Sequence, residues 1–157
     1  MIVGQIFAGS GLGNQLHRIV MTKVLAKELG VDFGFTGVEN FKGNSFLNID
    51  FGKPPVWDKE WTEKRVNNEQ CVDIRGIDTS IVWVKDGTRI DGEFQDERYW
   101  EKHRKDVDKW LKVKPLYVPD DTCIISFRGG EYKLFPDLYL TQEYWDKAIF
   151  EMRRKRI

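Results

Sequence analysis

Two stretches of this sequence hold the groups best suited to gripping an anion: "FAGSGLGNQLHRIV", Phe7–Val20, and "SFRGGEY", Ser126–Tyr132. In the first, glycines at 9, 11 and 13 run straight into an amphipathic pattern. The free N–H groups of a helix start then face a loop of bare backbone. A phosphate-binding P-loop would need a lysine after its last glycine, and none is present. A dinucleotide fingerprint, GxGxxG, would need a third glycine where Asn14 stands. What remains is a loop whose Gly11 and Gly13 permit close approach and positive φ, and whose Asn14 and Gln15 could cap the helix or bind a ligand hydroxyl. A glycine-lined turn with a capping Asn is the purely structural alternative.

In the second stretch Arg128 ends an apolar run, and Gly129 and Gly130 leave room for a ligand. A guanidinium is charged at every relevant pH, and its fork of donors matches a phosphate or diphosphate. The plainer alternative is a surface ion pair with Glu131 or Asp137. A third stretch, "IDGEFQDERYW", reads as a strand end followed by a helix start, with Asp96 and Glu97 complementing the helix dipole. Gln95 and Glu93 could meet a sugar there, or be solvated. His17 and His103 both fall on helical patterns and read as packed. No His, Cys or Asp cluster has metal-ligand spacing, so the reading includes no metal and no cofactor.

The elements that must position these groups follow from periodicity. "MIVGQIFA" predicts a strand ended by the glycines. From Asn14, apolar residues at 16, 19, 20, 24, 25 and 29 predict a helix closing at Gly30, and "VDFGF" a second strand. That is a βαβ unit with parallel strands. Residues 36 to about 65 read as an irregular excursion, "SIVWV" as a strand and "GTRIDGEF" as another. Tyr99, Trp100, His103, Val107, Trp110 and Leu111 predict one helix over the next stretch. "TCIISF", residues 122–127, reads as a central parallel strand delivering Arg128. The last helix is expected near Thr141, with Tyr144, Trp145, Ala148, Ile149 and Met152 on one side. The fold class is α/β, a Rossmann-like parallel sheet flanked by helices, with a flavodoxin-like sheet as the alternative.

Composition narrows the partners. In 157 residues, 25 basic and 25 acidic side chains cancel, and the only basic block lies at Arg153–Arg156, so nucleic acid is not expected. No apolar run approaches the roughly 20 residues of a membrane span, and the N-terminus lacks a secretion signal, which points to a cytoplasmic protein. Cys71 and Cys123 stand far apart without metal spacing and read as reduced and packed. Six tryptophans and ten phenylalanines suit either a dense core or flat surfaces for sugars and bases.

Taken in order, the three stretches resemble the family of fucosyltransferases that make α-1,2 linkages (family 11-like), and more distantly the α-1,6 and protein O-fucosyltransferases. "GSGLGNQLHRIVMTKVLAKELG" is similar to that family's GGLGNQ strand-loop-helix opening, with Ser10 for a glycine and His17 for an aromatic. "DGEFQDERYW" is similar to its GYFQSEKYF-like segment, and "SFRGGEY" followed by "TQEYWDKAI" to its HxRRGDY strand end and aromatic-bearing helix. The resemblance implies a GT-B glycosyltransferase that uses GDP-fucose and a glycan acceptor without a metal. Arg128 would contact the diphosphate as the catalytic residue, and Gly11, Gly13, Asn14 and Gln15 would line the donor site. Ser126 replaces the family histidine, Gly129 its second arginine and Glu131 its aspartate. These three residues and Gly130 are further donor-site candidates.

The resemblance covers the first, acceptor-side half of a GT-B fold as one domain over residues 1–157, with the crossing toward a second half from about residue 122. The strand edge left there is where a homo-oligomer would form. Two readings follow. Arg128, Asn14 and the glycines favour a fucosyltransferase-type enzyme. Ser126 and Gly129 favour a non-catalytic half domain that binds or assembles.

Overall fold

A computed structural model describes residues 1–64, 77–113, 117–120, 122, 124, 134, 137 and 140–155. The chain divides into two compact units, Met1–Lys114 and Pro115–Ile157. In the first unit, strands β1 (Ile2–Gln5), β2 (Phe33–Thr36), β3 (Lys59–Thr62) and β4 (Thr88–Asp91) form one sheet in the order β2-β1-β4-β3. Every neighbouring pair is parallel, with Ile2 opposite Phe33 on one side and Thr88 on the other. Helix α1 (Leu12–Leu29) connects β1 to β2, as the periodicity indicates, and begins two residues before Asn14. Its end is the left-handed Gly30, whose N–H reaches back to the carbonyls of Ala26 and Lys27. This is a Rossmann-like α/β arrangement. A flavodoxin-like order would place the third strand beside β1, whereas here β3 is at the sheet edge and β4 beside β1.

The core explains the elements. Ile2 and Val3 of β1 and the following Ile6 are buried, and Ile19, Met21 and Leu25 of α1 close over the sheet. The outer side of α1 is covered in turn: Val20 and Val24 pack on Val107, with Trp100, Trp110 and Leu111 at the margin. Because α1 is enclosed on two sides, every residue from Arg18 to Ala26 is buried, polar ones included. Gly4 lets the helix and sheet meet. A Cβ there would fall on the Thr22 hydroxyl and within 2.6 Å of the Phe35 ring.

Three sequence expectations are corrected. "SIVWV" is not a strand but lies in a 3₁₀ helix, Thr79–Trp83, opened by Asp78, which accepts from the Ser80 N–H at 3.0 Å. Ile81 and Val84, three apart, are buried, while Val82 and Trp83 are more than two-thirds exposed, a period of three rather than two. The excursion 36–65 contains a strand, β3, whose "KEWT" hides because an edge strand half-buries only its Trp61. The single helix expected after Gln95 is broken: two 3₁₀ turns, Glu97–Tyr99 and Glu101–His103, precede helix α2 (Arg104–Trp110). The break at Trp100 lets Tyr99 pack beneath the sheet while Val107 packs on α1.

In the second unit, helix α3 (Gln142–Lys155) starts where expected, with the Thr141 hydroxyl accepting the Tyr144 N–H at 3.4 Å. Trp145, Ala148, Ile149 and Met152 are its half-buried stripe, and Tyr144 is exposed. The strand expected over 122–127 falls mostly outside the described residues, as do Cys71 and Cys123. No described helix is long and apolar enough to cross a membrane.

Gly4→Ala is expected to destabilise the protein by about 1–3 kcal/mol, the usual cost of forcing atoms into a packed core. A urea unfolding midpoint checks it, and an unchanged midpoint would mean that α1 and β1 are not in the contact described.

Candidate functional site

The chain leaves β1 toward β2 on one side, while β4 lies on the other. Open parallel sheets bind ligands outside the carboxyl ends of their strands. Here those ends lead into the glycine loop and the first turn of α1 on one side, and into Gly92–Asp96 on the other. Two of the three stretches singled out in the sequence therefore meet. Asn14 Oδ1 accepts from Gln95 Nε2 at 3.0 Å, and the same amide reaches Glu93 Oε2 at 3.0 Å.

The glycine loop divides its labour differently from the sequence expectation. Positive φ belongs to Gly9, at +83°, and not to Gly11, which is extended, or Gly13, which is helical. A Cβ on Gly11 or Gly13 would meet nothing within 4 Å, so folding does not require a glycine at either place. The start of α1 has no side-chain cap and no acidic residue in its first turn, so no side chain takes up its first donors or its positive dipole end. Asn14 is not the cap, because the helix begins before it.

Gln15 has a structural task. It is wholly buried, its Nε2 donates to the Asn40 carbonyl at 2.9 Å, and its Oε1 accepts from the Lys42 N–H at 3.0 Å. Asn40 in turn donates to the Ile6 carbonyl at 3.3 Å. The segment following β2 is thereby tied to the loop following β1.

On the other side, the buried carboxylate of Glu63 accepts from the Glu93 N–H at 2.8 Å, the Phe94 N–H at 3.2 Å and the Tyr99 hydroxyl at 2.7 Å. Pulling two successive amides to one oxygen holds Phe94 at φ +51°, a conformation bulky side chains avoid. The Phe94 ring is fixed in that turn by a stack with Trp61 and an edge contact with Tyr99. Burial raises the Tyr99 phenol above its ordinary range; the Asp78 amide, donating to its oxygen at 2.6 Å, opposes this, and the Glu63 charge adds to the rise. Tyr99 thus stays a donor.

Sequence reasoning missed Arg18. One turn beyond Asn14, it is 7 % exposed, its Nη1 contacts Asp91 Oδ1 at 2.6 Å, and its guanidinium lies 4.5 Å from the Phe7 ring centroid. Its Nε is buried without a hydrogen-bond partner among the described residues. The i, i+4 spacing from Asn14 was the available signal. His17 is half-buried: burial lowers its pKa below 6.5, against the opposing pull of the Phe94 backbone and the Glu93 charge. His103 instead contacts Glu28 at 3.0 Å. Ser126, Arg128, Gly129, Gly130 and Glu131 lie outside the described residues.

No family model, no curated protein and no solved structure matches this chain.

Two outcomes are expected. Glu63→Ala, which strands buried donors, should cost about 3 kcal/mol in urea unfolding, whereas a loss near zero would mean that the turn closes without it. Because the folded pKa of His17 is depressed, the unfolded chain takes up its proton first as pH falls. The stability linked to neutral His17 is complete above 6.5 and is lost as pH drops through the lowered folded value. The unfolding midpoint should therefore fall more steeply between about pH 7.5 and about pH 5 in the native chain than in His17→Leu; equal slopes would contradict a buried neutral imidazole.

Proposed function

We propose that the opening between β1 and β4 is the acceptor-side half of a fucosyltransferase-type glycosyltransferase site. It would serve transfer of fucose from GDP-fucose to a glycan hydroxyl by inverting displacement without a metal. The observation that carries this reading is the Asn14–Gln95 hydrogen bond. It joins, across 81 positions, two motifs on which the family resemblance rests, beyond the carboxyl ends of the adjacent parallel strands β1 and β4.

The chemistry asks for donors aimed where negative charge grows on the departing diphosphate. The uncapped first turn of α1 offers backbone N–H groups beside Gly11 and Gly13, where nothing in the protein needs the space. Asn14 and Gln95 would hydrogen-bond the sugar. Arg128 is assigned the diphosphate by the resemblance, and Gly129 and Gly130 its approach. Gln15 would act through the loop that it fastens. Two carboxylates border this cluster, Asp91 paired with Arg18 and Glu93 accepting from Gln95. Ser126 and Gly129 support a second reading, in which the same opening binds ligand without turnover.

Calorimetric titration with GDP and GDP-fucose tests the proposal. Saturable binding is expected, weakened at least tenfold, or about 1.4 kcal/mol, by Arg128→Ala and by Gly13→Ala. Gly13→Ala should leave the melting temperature unchanged or raised, since alanine favours a helix by up to about 1 kcal/mol over glycine. Absence of binding at millimolar ligand would overturn the donor-site reading. Binding that survives both substitutions would move the site elsewhere.

A further inference from the structure

Away from the Asn14–Gln95 cluster, a cavity of about 400 Å³ lies against the C-terminal half of α1, bounded among others by Lys23, Lys27, Phe33, Asp50, Lys109 and Trp110. The unusual member is Lys23, an ammonium-bearing side chain only 6 % exposed. Its Nζ lies 4.8 Å from the Phe33 ring centroid and 5.2 Å from that of Trp110, so two aromatic rings hold the charge in place. An ammonium carries three N–H donors. One donates to the Asp50 carbonyl at 3.2 Å, and no other has a hydrogen-bond partner among the described residues.

The surrounding charges do not complete the shell. The Asp50 carboxylate accepts from the Gly52 N–H at 2.8 Å within its own loop. Lys27 is taken by Asp106, and Lys109 makes no ion pair among the described residues. Three ammonium groups thus border one cavity whose single lining carboxylate serves its own backbone.

We propose that this cavity binds a small-molecule oxyanion, a carboxylate or a phosphate, with Lys23 as its buried donor and Lys109 as its outer one. An oxyanion would fill the unused donors of Lys23 and add a negative charge beside it. Burial lowers the Lys23 pKa, with Asp50 opposing, which is the environment a bound anion would reverse. The site is separate from the Asn14–Gln95 cluster and does not depend on any reading of it.

The test is lysine side-chain NMR on the full chain, titrated separately with inorganic phosphate and acetate against chloride at matched ionic strength. Saturable shifts of the Lys23 and Lys109 resonances are expected with at least one oxyanion, and the arm that saturates first identifies the class. Lys109→Gln should weaken binding about two- to five-fold, as for an exposed charge. Lys23→Met, which keeps the ring contacts, should abolish it. If Lys23→Met does not fold, Lys109→Gln and the wild-type titration decide alone. A Lys23 resonance unmoved at tens of millimolar oxyanion, or moved equally by chloride, would overturn the proposal.

Discussion

The place where Asn14 meets Gln95 depends on one buried carboxylate. Glu63, just past β3, takes the amides of Glu93 and Phe94 and the hydroxyl of Tyr99, and so fixes the backbone that leaves β4. Without that acceptor, Phe94 has no reason to remain at positive φ. Its ring would leave the stack between Trp61 and Tyr99, and Gln95 would no longer be held toward Asn14. A fully hydrogen-bonded buried charge is costly to lose and specific in what it permits. Strain held by such a partner is a common feature of binding loops.

Gln15 does the corresponding work on the opposite flank. Its amide reaches the Phe7 carbonyl after β1 at 3.4 Å as well as the turn after β2, as Glu63 spans the segments after β3 and β4. The carboxyl ends of all four strands are thus tied in pairs by one buried polar side chain each. Between the pairs stand Asn14, Gln95 and the Arg18–Asp91 ion pair, with the uncapped end of α1 above them. The opening is built from groups whose positions are set from below, which suits recognition of a polar, anionic ligand.

Much of this was legible in the sequence because it rests on local signals. β1, α1, β2 and α3 follow from apolar periodicity and from glycines at the element ends, and the parallel sheet follows from the βαβ unit. The glycine loop and the segment around Gln95 were recognisable by residue type. Their meeting was not, since it depends on strand order, which no local pattern encodes. β3 escaped because an edge strand exposes most of its residues. "SIVWV" misled because its burial repeats every three residues, set by Asp78. Gln15 looked like a ligand-binding amide and proved to be buried, while Arg18, given no role from the sequence, is buried and paired with Asp91. In both cases burial on α1, enclosed by the sheet and by α2, decided the role.

A nucleotide sugar entering between β1 and β4 would bring its groups against Asn14 and Gln95. Backbone amide NMR during titration with GDP-fucose reads this directly. Saturable shifts should concentrate at residues 8–15 and 92–96, with Gln15 moving less than Asn14. Shifts confined to other parts of the chain, or none at millimolar ligand, would contradict it.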